Sequence, residues 1–164
     1  MTKRSTPSFP PNPASGQRRS TTSWTIPQPA DVISYAYLWA REAATGQEEG
    51  LKDRPSVVVV ARIAHADRHE IIVAPVTHSP PERPGDAVEI PFKVKRVLGL
   101  DQERSWIVTT ELNRFLWPGP DIRTAPGRDT PLYDALPEVL FDTLRAALAG
   151  HVAAGRLKVT KRGE

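Results

Sequence analysis

Cysteine is absent from this 164-residue chain. Disulfide staples and thiolate metal sites are therefore excluded, and a reducing compartment suits the protein. Long apolar runs are missing too: nothing approaches the ~20 apolar residues that a membrane-spanning helix needs. Lys3 and Arg4 have no apolar stretch behind them, so the N-terminus does not read as a secretory leader. The expected location is the cytoplasm, with no membrane partner. There is no Gly-x-Ser-x-Gly elbow, so His78 between Thr77 and Ser79 lacks the setting of a serine hydrolase. His65 and His69 lie near Asp67 and Glu70, but a hairpin turn would not gather them as one helix face does. No metal and no cofactor are expected.

What is present suits one globular domain: 39% hydrophobic and 25% charged residues over a length that fits one unit better than two. The net charge of +3 is unevenly spread. Residues 1–30 hold four basic side chains and no acid, and residues 156–164 hold four basic and one acidic. Between them, 31–155 hold 14 basic and 18 acidic side chains, so the basic character belongs to the ends. Such ends could attract nucleic-acid phosphates non-specifically, or simply be solvated. Residues 1–30 are rich in Pro, Ser, Thr and Arg and offer few apolar groups to offset the entropy of ordering, which predicts a disordered tail. Residues 156–164 read as a basic C-terminal tail, leaving 31–155 as the folded domain.

Within that domain, Val32 to Trp39 reads as a strand and Glu42 to Asp53 as a polar loop. Four consecutive valines, Val57 to Val60, favour a strand buried on both faces. Glu70 to Thr77 returns as the second arm of a hairpin turned at His65 to His69. After a Pro-rich loop come a short strand at Ala87 to Ile90 and a helix at Phe92 to Leu98, stopped by Gly99. Ser105 to Leu112 reads as one strong strand, with Asn113 to Trp117 continuing beyond a bend. Phe115-Leu116-Trp117 is aromatic enough to suggest a subunit contact. A long helix follows Pro137, with Leu140, Leu144, Leu148 and Val152 as its stripe and Gly155 as its stop. The expected fold class is mainly β with α (α+β): a small, partly closed β-barrel with a short helix and a C-terminal helix packed on it.

Three segments carry a resemblance. Asp31-Val32-Ile33 opens the barrel and leads, after the polar loop, to Arg54-Pro55 and the valine strand. Ala74-Pro75-Val76-Thr77 ends the next strand. Trp106-Ile107-Val108-Thr109-Thr110-Glu111 forms the late strand. Over residues 31–150 this order resembles the PemK/MazF family of toxin endoribonucleases. The resemblance implies an SH3-like barrel, usually a homodimer, that cuts single-stranded RNA without a metal and is restrained by a cognate antitoxin protein. It implies that Arg54 is the catalytic arginine, that Thr77 supports the reacting phosphate, and that Glu111 stands where many members carry Asp. Ala30 replaces the family's usual Gly, His78 a small polar residue, and Leu112 a frequent Gln.

Metal-free RNA cleavage can use the substrate's own 2′-hydroxyl, which attacks the adjacent phosphorus and expels the 5′-oxygen. A base must take the 2′ proton, a donor must meet the leaving oxygen, and charge gathers on the phosphate. Arg54 offers a planar fork that stays charged at neutral pH. Thr77 offers a hydroxyl donor. Glu111 offers a base, weakened if a cation lies beside it. His78, Ser79, Asn113 and Arg114 are candidate RNA contacts. Plainer readings exist: Arg54 paired with Asp53 or Glu111, Thr77 closing a turn, Glu111 facing solvent, Asn113 and Arg114 in a solvated bend. The alternative function is a non-catalytic SH3-like barrel that binds protein or nucleic acid.

Overall fold

The computed structural model describes residues 24–163. The N-terminal tail expected over 1–30 lies outside the described residues as far as residue 23. From Trp24 onward the chain is tied down. The Trp24 indole donates to the Asp129 carbonyl at 3.2 Å, and the Gln28 N–H donates to the Asp31 carboxylate at 2.8 Å. Ala30 turns the chain into the first strand with φ +83°, a conformation that glycine adopts freely and alanine does not.

The elements run β1 (Asp31–Tyr35), α1 (Ala40–Ala44), β2 (Arg54–Ile63), β3 (His69–Thr77), β4 (Ala87–Glu89), α2 (Phe92–Leu98), β5 (Trp106–Val108), β6 (Glu111–Trp117), β7 (Ile122–Arg123), β8 (Leu132–Ala135), α3 (Glu138–Ala153) and β9 (Lys158–Lys161). The fold is therefore α+β, dominated by a mostly antiparallel sheet. Strands β2 and β3 form its central hairpin, and β1 flanks β2 and also pairs with β7 and β8. The other edge of β3 is divided: β6 pairs with His69 to Val73, and β5 with Val76 and Thr77. Strand β9 lies outside β6 in parallel. No pairing among the described residues closes the sheet into a ring. No described helix is long and apolar enough to cross a membrane.

Two apolar clusters occupy the two faces of the sheet. One joins Val57, Ala74, Val76 and Ile107 to Leu98 of α2 and to Phe141, Leu144 and Leu148 of α3. The other is aromatic: Tyr35, Tyr37, Phe115 and Trp117 pack with Ile33, Val58 and Ile71. Tyr35 stacks on Phe115 with centroids 4.5 Å apart. Burying a side chain of this size contributes about 1.5–3 kcal/mol.

Several expectations are corrected. The first strand ends at Tyr35, and the polar loop begins with a turn of helix, α1, whose Glu42 carboxylate accepts the Trp39 N–H at 3.1 Å. The strand expected over Ser105 to Leu112 is two strands. At the break, the Thr109 N–H donates to the Asp86 carbonyl and its hydroxyl to the Gly85 carbonyl, which draws β5 away from the line of β6. Of the four valines, Val57 and Val58 are buried and Val59 and Val60 half-buried, because a bulge between Val58 and Val60 shifts the register. On α3 the buried stripe is Phe141, Leu144, Leu148 and His151, while Val152 is exposed. Each i+4 step overshoots a helical turn by about 40°, so a strict i+4 series winds off the buried face. Phe115 and Trp117 point into the aromatic cluster, which removes them as a subunit contact.

The largest correction is at the C-terminus. The basic C-terminal tail expected over 156–164 is, in its described residues, part of the fold, because Lys158–Lys161 is a strand and Arg162 is only 3% exposed. The Arg162 guanidinium donates to the Ala36 carbonyl at 2.8 Å and to Asn113 Oδ1 at 3.1 Å, and pairs with Asp121 at 3.0 Å. A charge count along the sequence cannot see that pairing, and a buried charge requires it.

Candidate active site

The hairpin register fixes the site. The outermost ladder pair of β2 and β3 at this end is Ser56 with Pro75, and two residues further out on each arm stand Arg54 and Thr77. Arg54 also pairs across with Tyr35 of the aromatic face. Along β6, Glu111, Asn113, Phe115 and Trp117 alternate onto that same face. Arg54, Thr77 and Glu111 therefore belong to one side of the sheet although they are far apart in sequence.

Arg54 is half-buried, and its Nη1 donates to the Val76 carbonyl at 3.3 Å. Its guanidinium lies 5.1 Å from the centroid of the Trp39 ring, and Arg41 lies at the same distance from that ring. Such cation–π contacts hold a guanidinium without consuming its donors. The buried Nε of Arg54 has no hydrogen-bond partner. Burial lowers its pKa below the ordinary arginine value, Glu42 works against that, and Arg41 reinforces it; an arginine stays charged regardless. The plain pairings are taken elsewhere. Asp53 faces Arg123 at 3.5 Å, and Glu111 Oε1 accepts the Ala40 N–H at 2.9 Å and the Tyr37 hydroxyl at 3.2 Å. Burial raises the pKa of Glu111, although those two hydrogen bonds and the charges of Arg41 and Lys158 oppose it. The Thr77 oxygen accepts the Ser79 N–H at 3.2 Å, the turn contact expected of it, and its hydroxyl proton stays available.

Two adjoining clefts share Thr77. One, of about 420 Å³, is lined by Arg54, Thr77, His78, Asp101 and Tyr133 among others. Its neighbour, of about 340 Å³, is lined by Trp39, Arg41, Thr77, Pro80 and Glu111 among others. Arg54 and Glu111 thus approach Thr77 from different clefts.

The four proposed RNA contacts divide. His78 and Ser79 are exposed on the lip of the clefts. Arg114 is partly exposed, with its Nε 3.6 Å from Glu70. Asn113 is corrected: it is fully buried, its Oδ1 accepting the Leu38 N–H at 2.9 Å and its Nδ2 donating to the Leu38 carbonyl at 2.8 Å. That amide serves as a substitute strand partner for the segment leading to Trp39, so it is not a solvated bend and not an RNA contact.

Sequence reading missed a chain of charged groups at the first cleft. His78 Nε2 lies 2.8 Å from Asp101 Oδ2, and its Nδ1 lies 3.6 Å from Glu103. Asp101 Oδ1 accepts the ammonium of Lys95 at 2.6 Å. Partial burial works against the Asp101 carboxylate, but hydrogen bonds from Lys95, His78 and the Glu103 N–H hold its pKa below the ordinary value. Lys95 was detectable: it falls three residues before Leu98 on the inner face of α2, where a lysine is out of place. Ligand atoms of His78, Asp101 and Glu103 lie within 4.8 Å of one another, the arrangement among the described residues that could hold a metal ion. The ammonium already on Asp101 would repel a divalent cation there. Compared with protein-family models and with curated proteins, the chain matches none of them.

Proposed function

We propose that this protein is a metal-independent endoribonuclease of the PemK/MazF kind, a growth-inhibiting toxin that cuts single-stranded mRNA. The carrying observation is that Arg54 and Thr77 stand on the facing arms at the open end of one hairpin and line the same cleft, with the Arg54 guanidinium held against Trp39. In this reading the phosphate sits at the Thr77 lip between the two clefts. The guanidinium fork and the threonine hydroxyl meet the charge that grows on the non-bridging oxygens; one well-placed donor of this type is worth about 10²–10³ in rate. Glu111 takes the 2′ proton, and its burial-raised pKa makes it a stronger base than an exposed carboxylate. The 2′-oxygen bonds to phosphorus and the 5′-oxygen leaves, giving a 2′,3′-cyclic phosphate and a 5′-hydroxyl. The open sheet is read here as an SH3-like barrel, working in the cytoplasm as a homodimer whose cleft a cognate antitoxin covers.

Purified protein incubated with mixed-sequence single-stranded RNA in chelator is expected to yield those ends. Arg54→Ala is expected to abolish cleavage while leaving the thermal transition in place. Full cleavage by the folded variant, or cutting that requires added metal, refutes the mechanism. The alternative, an SH3-like barrel that binds protein or nucleic acid without cutting, draws on the hydrogen bonds that Thr77 and Glu111 already make to their own backbone. Expression separates the two: the toxin arrests growth, whereas the binding module accumulates harmlessly.

A further inference from the structure

We propose that His78 is the acid that protonates the departing 5′-oxygen, with Asp101 and Lys95 as the residues that position it; this rests on the endoribonuclease reading. In-line displacement puts the entering and leaving oxygens on opposite sides of phosphorus. The two clefts meet at Thr77 and offer different groups. Thr77 borders both, Glu111 lines one, and His78 lines the other together with Arg54. A phosphate at Thr77 would therefore border a cleft that holds a carboxylate and a cleft that holds an imidazole, the pair of groups that an entering and a leaving oxygen require.

The support behind His78 is more elaborate than packing requires. Lys95 is 1% exposed, and its ammonium donates to Asp101 Oδ1 at 2.6 Å, to Ser105 Oγ at 2.7 Å and to the Glu103 carbonyl. All three of its donors are used. A buried ion pair seldom stabilises a fold more than an apolar residue of similar volume would. Here it brings a carboxylate, half exposed, to the mouth of the cleft. That carboxylate takes Nε2 of His78, which fixes the ring and leaves Nδ1 as the nitrogen for substrate, with the exposed Glu103 carboxylate 3.6 Å from it. Lys52 and Asp53 are the other charged groups that line this cleft beside Arg54 and Asp101.

The protons balance. Glu111 gains the 2′ proton as the 2′-oxygen bonds to phosphorus. The bond from phosphorus to the 5′-oxygen breaks, and that oxygen receives the proton from Nδ1 of His78. Exchange with water then returns a proton to His78 and removes one from Glu111.

The test uses two synthetic RNAs with one scissile linkage each, one with the natural 5′-oxygen and one with 5′-sulfur, whose thiolate leaves without protonation. On the oxygen substrate, His78→Gln is expected to lower kcat by about 10²–10⁴-fold with KM little changed. The variant is also expected to lose the high-pH limb of the kcat profile. On the sulfur substrate it is expected to match wild type. Asp101→Asn is expected to give a smaller loss on oxygen and a displaced high-pH limb, and added imidazole should restore part of the activity of a His78→Gly variant. Equal losses on both substrates, or no loss on either, would overturn the assignment while leaving the endoribonuclease intact. Wild-type protein that cuts neither substrate overturns the endoribonuclease reading, and the assignment falls with it.

Discussion

Replacing Arg162 by methionine is expected to destabilise the fold by about 3–5 kcal/mol, the usual cost of removing one partner from a buried ion pair. Methionine keeps the stem and its packing, so the loss falls on the charged head. Three close acceptors depend on that head, the Ala36 carbonyl, Asn113 Oδ1 and the Asp121 carboxylate, with the Tyr35 hydroxyl a longer fourth at 3.5 Å. The side chain of Arg162 is 1% exposed and that of Asp121 12%, so water cannot readily replace the guanidinium. Hydrogen bonds to a charged group are worth about 1.5–3 kcal/mol each, but the three share one group and do not add. At about 3 °C per kcal/mol the midpoint should fall by roughly 10–15 °C. Thermal unfolding followed by circular dichroism measures this directly. A second arm isolates the cause. Burial raises the pKa of Asp121 despite Arg162, so its proton is held more tightly in the folded state than in the unfolded chain. Without Arg162 the stability deficit should grow as pH rises through the Asp121 transition, because the carboxylate then ionises without its hydrogen-bonded cation and with only the Arg123 charge to favour it. Adding Asp121→Asn to the variant should recover part of the loss. A midpoint within about 2 °C of wild type, in Arg162→Met or in a chain ending at residue 156, would refute the anchoring role and return residues 156–164 to the status of a tail.

Glu111→Gln should cost activity yet raise stability at neutral pH by a few degrees at most. The folded protein holds this proton more tightly than the unfolded chain, so the stability it contributes is complete below the ordinary glutamate value and is lost as pH rises through the raised one. Urea titrations across that range should show a flatter pH dependence in the variant, and an unchanged slope would contradict the burial of this carboxylate. Ala30→Gly should stabilise the fold by about 0.5–1 kcal/mol, since alanine at φ +83° is strained by about 1–2 kcal/mol and glycine's extra freedom when unfolded takes back only part of that. A loss of stability on chemical denaturation would show that the alanine methyl packs usefully despite its backbone.

Local signals were the readable ones. The helix Phe92–Leu98 and its stop are legible because Gly99 supplies the left-handed turn, φ +78°, that ends a helix. The β2–β3 hairpin is legible because two apolar runs flank one polar turn. What escaped was decided by contacts distant in sequence. The Ser105 to Leu112 run has uniform strand propensity, and only the carbonyls of Gly85 and Asp86 divide it. Arg162 looks like any terminal cation until Asp121 and Asn113 surround it. Asn113 reads as a polar bend residue until its amide is seen to bracket the Leu38 backbone. At the candidate site, the hairpin itself brings Arg54 to the level of Thr77 and His78, but which of the two it faces depends on the bulge at Val59, which the run of valines does not reveal. The link from Lys95 through Asp101 to His78 crosses from a helix to a loop to a strand end, which no spacing rule encodes.

The bulge at Val59 gives the central hairpin something like a reading frame. On the side of the extra residue nearer the clefts, the paired residue numbers of β2 and β3 sum to 131; on the other side they sum to 132. Alternation is thereby reset midway, so that Val58 and Ala61, rather than Val58 and Val60, serve the aromatic face. The bulge absorbs the extra residue locally: without it Val58 and Val60 would stand as neighbours opposite Val73 and Ile72, each on the layer it serves now, whereas a strand paired straight through Val59 would be shifted as a frameshift shifts a message, with one half presented to the wrong layer. Lengthening the tip around His65 to Asp67 carries no such penalty, and this makes the far end of the hairpin the natural place to graft a peptide tag without disturbing Arg54 or Thr77.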